Sequence, residues 1–275
     1  MPSSEWELFR GTEAKKSIRI SGVPDGTRII VVSDAQVPLE DTALLRTIFR
    51  RFAPDYRPKH GGEYHLFLNG DILDAFSLSR FVARVQPRFD VGDEIDLTKA
   101  YLKEWGKLFT HKHFVFGNHE ARWDKWLWEQ APQIARLVPP LAEMLELDKL
   151  GYDYVPYLKH FNFQGFIITH GDRTSVNVAK DMLMTYHTSG TSGHVNRPQS
   201  FSYANAAGAD AITWYCTGHT CRPDIGDVIK DWARVQAWQQ GFLIGEVRDG
   251  VLYPELVRVH HGRFTAGGKI YAVEQ

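Results

Sequence analysis

At 275 residues, with 43% apolar and 24% charged side chains, the chain is long enough for one large α/β domain and apolar enough to fill its core. Lys+Arg 32 against Asp+Glu 33 leaves a formal net charge of −1, which excludes a global electrostatic pull toward nucleic acid or membrane, so phosphate binding has to be local. Two cysteines, Cys216 and Cys221, give no disulfide framework, no apolar run approaches the roughly 18 residues a membrane span needs, and the N-terminus has no basic-then-apolar signal pattern; the expectation is cytoplasmic, with no membrane partner.

A polar lead through residue 26 precedes a single domain over 27–275. Strands are expected at 28–33, 65–69 and 113–116, with helices near 40–52 and 95–109 between them, the βαβ alternation of a parallel sheet. From 122 to 150 the pattern is helical, and Trp123, Trp126 and Trp128 are expected in the core. A strand follows at 160–170, then a helix from Val176 to Met184, a long Gly/Ser-rich loop over 187–210 and a strand at 211–217. The runs Gly241–Val247 and Val251–Val257, joined by Arg248-Asp249-Gly250, predict a hairpin.

Each early strand ends in a polar cluster: Ser33-Asp34-Ala35-Gln36, Gly70-Asp71 with Asp74, and Gly117-Asn118-His119-Glu120, with His170 after a fourth. Right-handed crossovers bring such ends to one sheet edge, where open α/β sheets bind ligands. Mixed carboxylate, amide and imidazole donors suit divalent Mn, Zn, Fe or Mg, and a carboxylate shared by two ions is a two-metal hydrolytic pattern.

These clusters, with a later Gly-His, resemble the calcineurin-like metallophosphoesterase superfamily, whose motif order is DxH, GDxxD, GNH(D/E), H and GHxH. Shorter stretches, Leu78-Ser79-Arg80-Phe81, Leu147-Asp148-Lys149-Leu150-Gly151 and Trp238-Gln239-Gln240-Gly241-Phe242, resemble its bacteriophage-encoded branch. The resemblance implies a four-layer α/β/β/α sandwich of two mixed sheets and two divalent ions. Asp34 would be the metal-site aspartate of the first motif, Asp71 the bridge between ions, and Asn118 and His170 ligands of the second ion. His119 would protonate the leaving oxygen while Asp74 holds it, raising its pKa; a helix-capping role for Asp74 is the competing reading. Arg122 resembles a phosphate-gripping arginine, though the arginine that the phosphatase branch places after its second-motif aspartate is Ala75 here. Arg80, Arg84, Arg88, Lys125 and Arg197 are further basic residues for a phosphate path, and a solvated surface explains them equally.

The last motif is either Gly193-His194-Val195-Asn196 or Gly218-His219-Thr220-Cys221. Spacing favours the first, which lies 24 residues after His170 rather than 49, leaving His219 as a substrate-side or core histidine. With His194 and Asn196 chosen, Gln36 and Asn196 both stand where the family has imidazoles serving the first ion. Amide oxygens are harder and neutral, so that ion should bind more weakly and Mn²⁺ is favoured, with Mg²⁺, Fe or Zn²⁺ as alternatives. Phosphoester hydrolysis is expected, with nucleic-acid or nucleotide phosphodiesters as substrate. The alternatives are a phosphomonoesterase or phosphoprotein phosphatase, or a binding module that kept only the fold.

Overall fold

The computed structural model describes residues 17–59, 61–79, 90–204, 210–223 and 237–274. Strand β2 (Arg28–Val32) shows how the layers arise. Side chains alternate across a strand, so Ile29 and Val31 enter one apolar cluster while Ile30 and Val32 enter another on the opposite face. All four are fully buried, as a central strand covered on both faces requires.

Beside β2 lie, in parallel, β3 (Tyr64–Asn69), β4 (His111–Val115) and β5 (Tyr152–Val155). On the other side the hairpin β11 (Gly241–Arg248) and β12 (Val251–Arg258) joins antiparallel, giving the order β12-β11-β2-β3-β4-β5. Its turn, Asp249-Gly250, has positive φ at both residues, as a two-residue hairpin twisting with its strands demands. The second sheet, in the order β1-β6-β7-β8-β10-β9, uses β1 (Ile18–Ile20), β6 (Phe161–Phe163), β7 (Phe166–Ile168), β8 (Gly190–Ser192), β9 (Pro198–Tyr203) and β10 (Ile212–Thr217). Both sheets mix parallel and antiparallel pairs.

Helix α1 (Thr42–Thr47), capped by the Asp41 side chain, and α2 (Val91–Trp105), closed by an Asp90/Asp93 capping box, cover the outer face of the first sheet. Phe161, Phe163, Phe166 and Ile168 pack between the sheets, and α4 (Val178–Tyr186) covers the second sheet through Val178, Ala179, Met182 and Leu183. The result is the four-layer α/β/β/α sandwich. No helix among the described residues is long and apolar enough to cross a membrane.

Four local expectations are corrected. Ile18–Ile20 lies in the polar lead, yet it pairs with β6 because its Ile-Arg-Ile alternation suits a sheet edge. The 160–170 stretch is two strands folded at Gln164-Gly165, both at positive φ. The 187–210 loop contains β8 and β9. Its small residues fit a buried strand, since a Cβ on Gly190 would lie 2.5 Å from the Trp214 ring. On α3 (Ala121–Gln130) only the stripe through Trp123 and Leu127, four apart, faces inward; Trp126 and Trp128 are 39% and 36% exposed.

Candidate metal centre

Past the end of β2 and β3 the chains continue side by side. Asp34 N–H donates to the Gly70 carbonyl (3.0 Å), Gln36 to Asp71 (2.9 Å) and Val37 to Ile72 (2.7 Å), and Asp74 returns a bond to Val37 (3.0 Å). Asp34, Gln36 and Asp71 hold φ near +50°, a left-handed conformation that non-glycine residues adopt only when their surroundings enforce it. The turned backbone delivers Asp34, Gln36, Asp71 and Asp74 to one edge, all less than a tenth exposed.

Glu120 braces the Asp71 turn, a role sequence reasoning missed. Its carboxylate accepts the N–H groups of Asp71 (2.9 Å), Ile72 (2.8 Å), Leu73 (3.0 Å) and Gly117 (2.8 Å), tying the second-motif loop to the third. Its position one residue after His119 was the available signal. The motif glycines are set by close approach: a Cβ on Gly117 would stand 2.1 Å from Asp71 Oδ1, and one on Gly193 2.5 Å from Asp34 Oδ2.

Around Asp71 the donors converge. His170 Nε2 is 3.2 Å from Asp71 Oδ2 and 3.2 Å from Asn118 Oδ1, while His170 Nδ1 sits 2.9 Å from the Asn69 carbonyl, which fixes a proton on Nδ1 and turns Nε2 toward the site. His194 joins them: ligand atoms of Asp71, His170 and His194 all lie within 4.8 Å of one another. On the other flank, Asp34 Oδ2 accepts the His194 backbone N–H (3.1 Å), and Asn196 is buried nearby in sequence at positive φ. Asp34 Oδ1, His194 Nδ1 and Asn196 Oδ1 have no hydrogen-bond partner among the described residues.

The Gly218-His219 segment does different work. Thr220 N–H donates to the Asp34 carbonyl and its hydroxyl to that of Ser33, so the segment props the first motif from behind. His219 is buried with Nδ1 3.0 Å from Cys221 Sγ, and its ring lies 5.8 Å from that of Trp238. Burial lowers its pKa to about 4.

His119 Nδ1 stands 3.0 Å from Asp74 Oδ1, Nε2 stands 3.5 Å from Asp71 Oδ2, and the His119 N–H donates to Asp71 Oδ1 (2.9 Å). Arg122 Nη1 donates to the Asp74 carbonyl (2.7 Å) and lies 3.7 Å from its carboxylate. Glu94 on α2, a second residue missed in sequence, lies buried behind; burial first and the Asp74 charge second push its pKa to about 8. Arg197 is held by the Ser175 carbonyl. Arg80, Arg84 and Arg88 lie outside the described residues.

Electrostatics follow from these neighbours. Burial raises Asp34 to about 7, helped by the Asp71 charge and opposed by His170. At Asp71 burial is outweighed by His119 and His170, and its pKa falls well below the usual carboxylate range. Against burial, Asp71 and Asp34 lift His170 to about 10, and Asp71 with Asp74 lifts His119. Buried acceptors left without partners, and carboxylates crowded at one edge, are what a site shaped for cations presents.

Fold and site together define a metal-dependent phosphoesterase scaffold, and the chain belongs to the calcineurin-like phosphoesterase family, whose model matches residues 27–223. Among curated relatives it is similar to the Gene 54 proteins of Mycobacterium phage L5 (27% identical, covering 90% of this chain and 99% of the relative) and phage D29 (26% identical, 90% and 99%), consistent with a phage-encoded branch. Solved structures similar to it include zinc-complexed Vps29 from Entamoeba histolytica (10% identical, TM-score 0.45, covering 87% of this chain and 96% of the other) and vacuolar protein sorting 29 from Cryptosporidium parvum (10%, 0.42, 86% and 99%).

Proposed function

We propose that the protein hydrolyses phosphodiester bonds of nucleic acid or a nucleotide, in the cytoplasm of a host cell, with two divalent ions and Mn²⁺ preferred. The observation that carries the reading is the His119–Asp74 pair, 3.0 Å apart, beside the Asp71, Asn118, His170 and His194 donors. The donor set fits: Asp71, Asn118, His170 and His194 would hold one ion, and Asp34, Gln36, Asn196 and the shared Asp71 the other. Divalent ions bound there supply charge that screens the phosphate and lowers the pKa of water into the neutral range.

The chain's own residues do the rest. The Asp74 carboxylate, 3.0 Å from His119 Nδ1, pairs with the imidazolium and leaves Nε2 to carry the proton given to the departing oxygen. Asp71 favours the imidazolium that holds this proton ready. Arg122, tied to Asp74 at one nitrogen, keeps its remaining N–H groups for a phosphate oxygen and stiffens the His119–Asp74 pair. Buried walls of Asp34, Gln36 and Asn196 limit water at the other flank.

The test is reconstitution with Mn²⁺, counting ions per chain and assaying an aryl phosphodiester, an aryl phosphomonoester and a phosphopeptide in the same samples. Two ions with preferential diester turnover support the proposal. Phosphopeptide turnover moves it to a phosphoprotein phosphatase, and fewer than two ions without turnover moves it to a binding module.

A further inference from the structure

A second cluster of ligating side chains lies at the opposite, N-terminal edge of the parallel strands. Glu63 precedes β3, His65 stands on β3 opposite His111 of β4, and His113 on β4 stands opposite Asp153 of β5. His65 and His113 follow the two-residue alternation onto the inter-sheet face, where His113 stacks on Phe67 (4.4 Å between ring centres). Six residues of extended chain separate His65 from Asp71, which puts the cluster roughly 20 Å from the catalytic centre.

Glu63 Oε2 is 2.9 Å from His65 Nε2 and 3.6 Å from His111 Nε2, with all three ligand atoms within 4.8 Å of one another. Ligands about 2.1 Å from a tetrahedral zinc ion stand roughly 3.4 Å apart, a value that the two carboxylate–imidazole spacings bracket. Behind the cluster His65 Nδ1 lies 3.0 Å from His113 Nε2, while His113 Nδ1 has no hydrogen-bond partner among the described residues.

Two neutral imidazoles supply the protons of both hydrogen bonds here, Glu63–His65 and His65–His113. With a cation at His65 Nε2, the proton of that ring sits on Nδ1 and donates to His113 Nε2, an outer hydrogen bond of the kind that orients imidazole ligands in metal sites.

We propose that Glu63, His65 and His111 bind a zinc-class divalent ion at the N-terminal edge of the first sheet, separate from the phosphoesterase centre. Glu63 and His111, 36% and 46% exposed at their side chains, give the ion access and leave a fourth position to water, and the ion ties the start of β3 to that of β4.

The experiment loads metal-stripped protein with Zn²⁺ or Co²⁺, removes the excess, and counts ions per chain for wild type, Glu63→Gln and His111→Ala. Comparison with wild type cancels ions held at the catalytic centre, so failure here is distinguishable from failure of the phosphoesterase reading. The expected result is one equivalent fewer in each variant, loss of the intense visible absorption of tetrahedral cobalt, and unchanged aryl phosphodiester turnover. Equal stoichiometry and the same cobalt spectrum in all three proteins would overturn the proposal. Glu63→Gln preserves shape and covers the case in which His111→Ala misfolds.

Discussion

The two halves of the candidate centre are built differently. On the Asp71 side the carboxylate receives a backbone N–H, two imidazoles approach it, and Glu120 locks its loop with four hydrogen bonds. On the Asp34 side, Asp34 Oδ1 and Asn196 Oδ1 are buried without partners among the described residues. The Asp71 carboxylate and its loop are held largely by the protein's own groups, whereas Asp34 Oδ1 and Asn196 Oδ1 are left for a cation or a polar ligand to satisfy. One flank of a site can thus be braced by the protein while the other offers open donors, within a single sheet edge.

The contrast can be broken most severely at the brace. Glu120→Ala leaves four backbone N–H groups without their acceptor, at about 1–3 kcal/mol each before relaxation, and urea unfolding should show a loss of several kcal/mol. Next in size, His119→Gln should lower kcat about 10²–10⁴-fold, measured on an aryl phosphodiester, while ions per chain stay unchanged. Smaller, and aimed at the flank with open donors, Gln36→His and Asn196→His restore imidazoles; calorimetric titration should show tighter binding of one ion only, with preference shifting from Mn²⁺ toward Zn²⁺.

The smallest effect separates the two Gly-His segments. His219 titrates near 4 when folded against 6.5 when unfolded, because burial disfavours its charged form. The unfolded chain therefore binds more protons between those values, and stability falls as pH drops through that window. His219→Gln should remove up to about 1.4 kcal/mol per pH unit from that slope, read by urea unfolding at pH 7 and pH 5, with metal content unaffected. Loss of an ion in this variant would instead return His219 to the metal site.

The sequence by itself determined the parallel core and which polar groups lie at its ends. A β-branched run closing on an acid, as in Ile29-Ile30-Val31-Val32-Ser33-Asp34, is a local pattern, and crossover handedness follows from chirality, so both are legible without coordinates. The convergence of Asp71, Asn118, His119 and His170 was legible for the same reason: each lies within four residues of a strand's end.

What only the tertiary structure decided depends on residues distant in sequence. Small, polar Gly190-Thr191-Ser192 reads as loop until Trp214 closes over it; Glu120 reads as a motif letter until four N–H groups from two loops point at it; Glu94 reads as an exposed helical acid until Asp74 lies beside it. The Glu63, His65, His111 and His113 column is invisible in sequence, because strand register alone places those side chains on one face. Propensity and periodicity are properties of neighbours along the chain, whereas burial, register and hydrogen-bond satisfaction belong to neighbours in space.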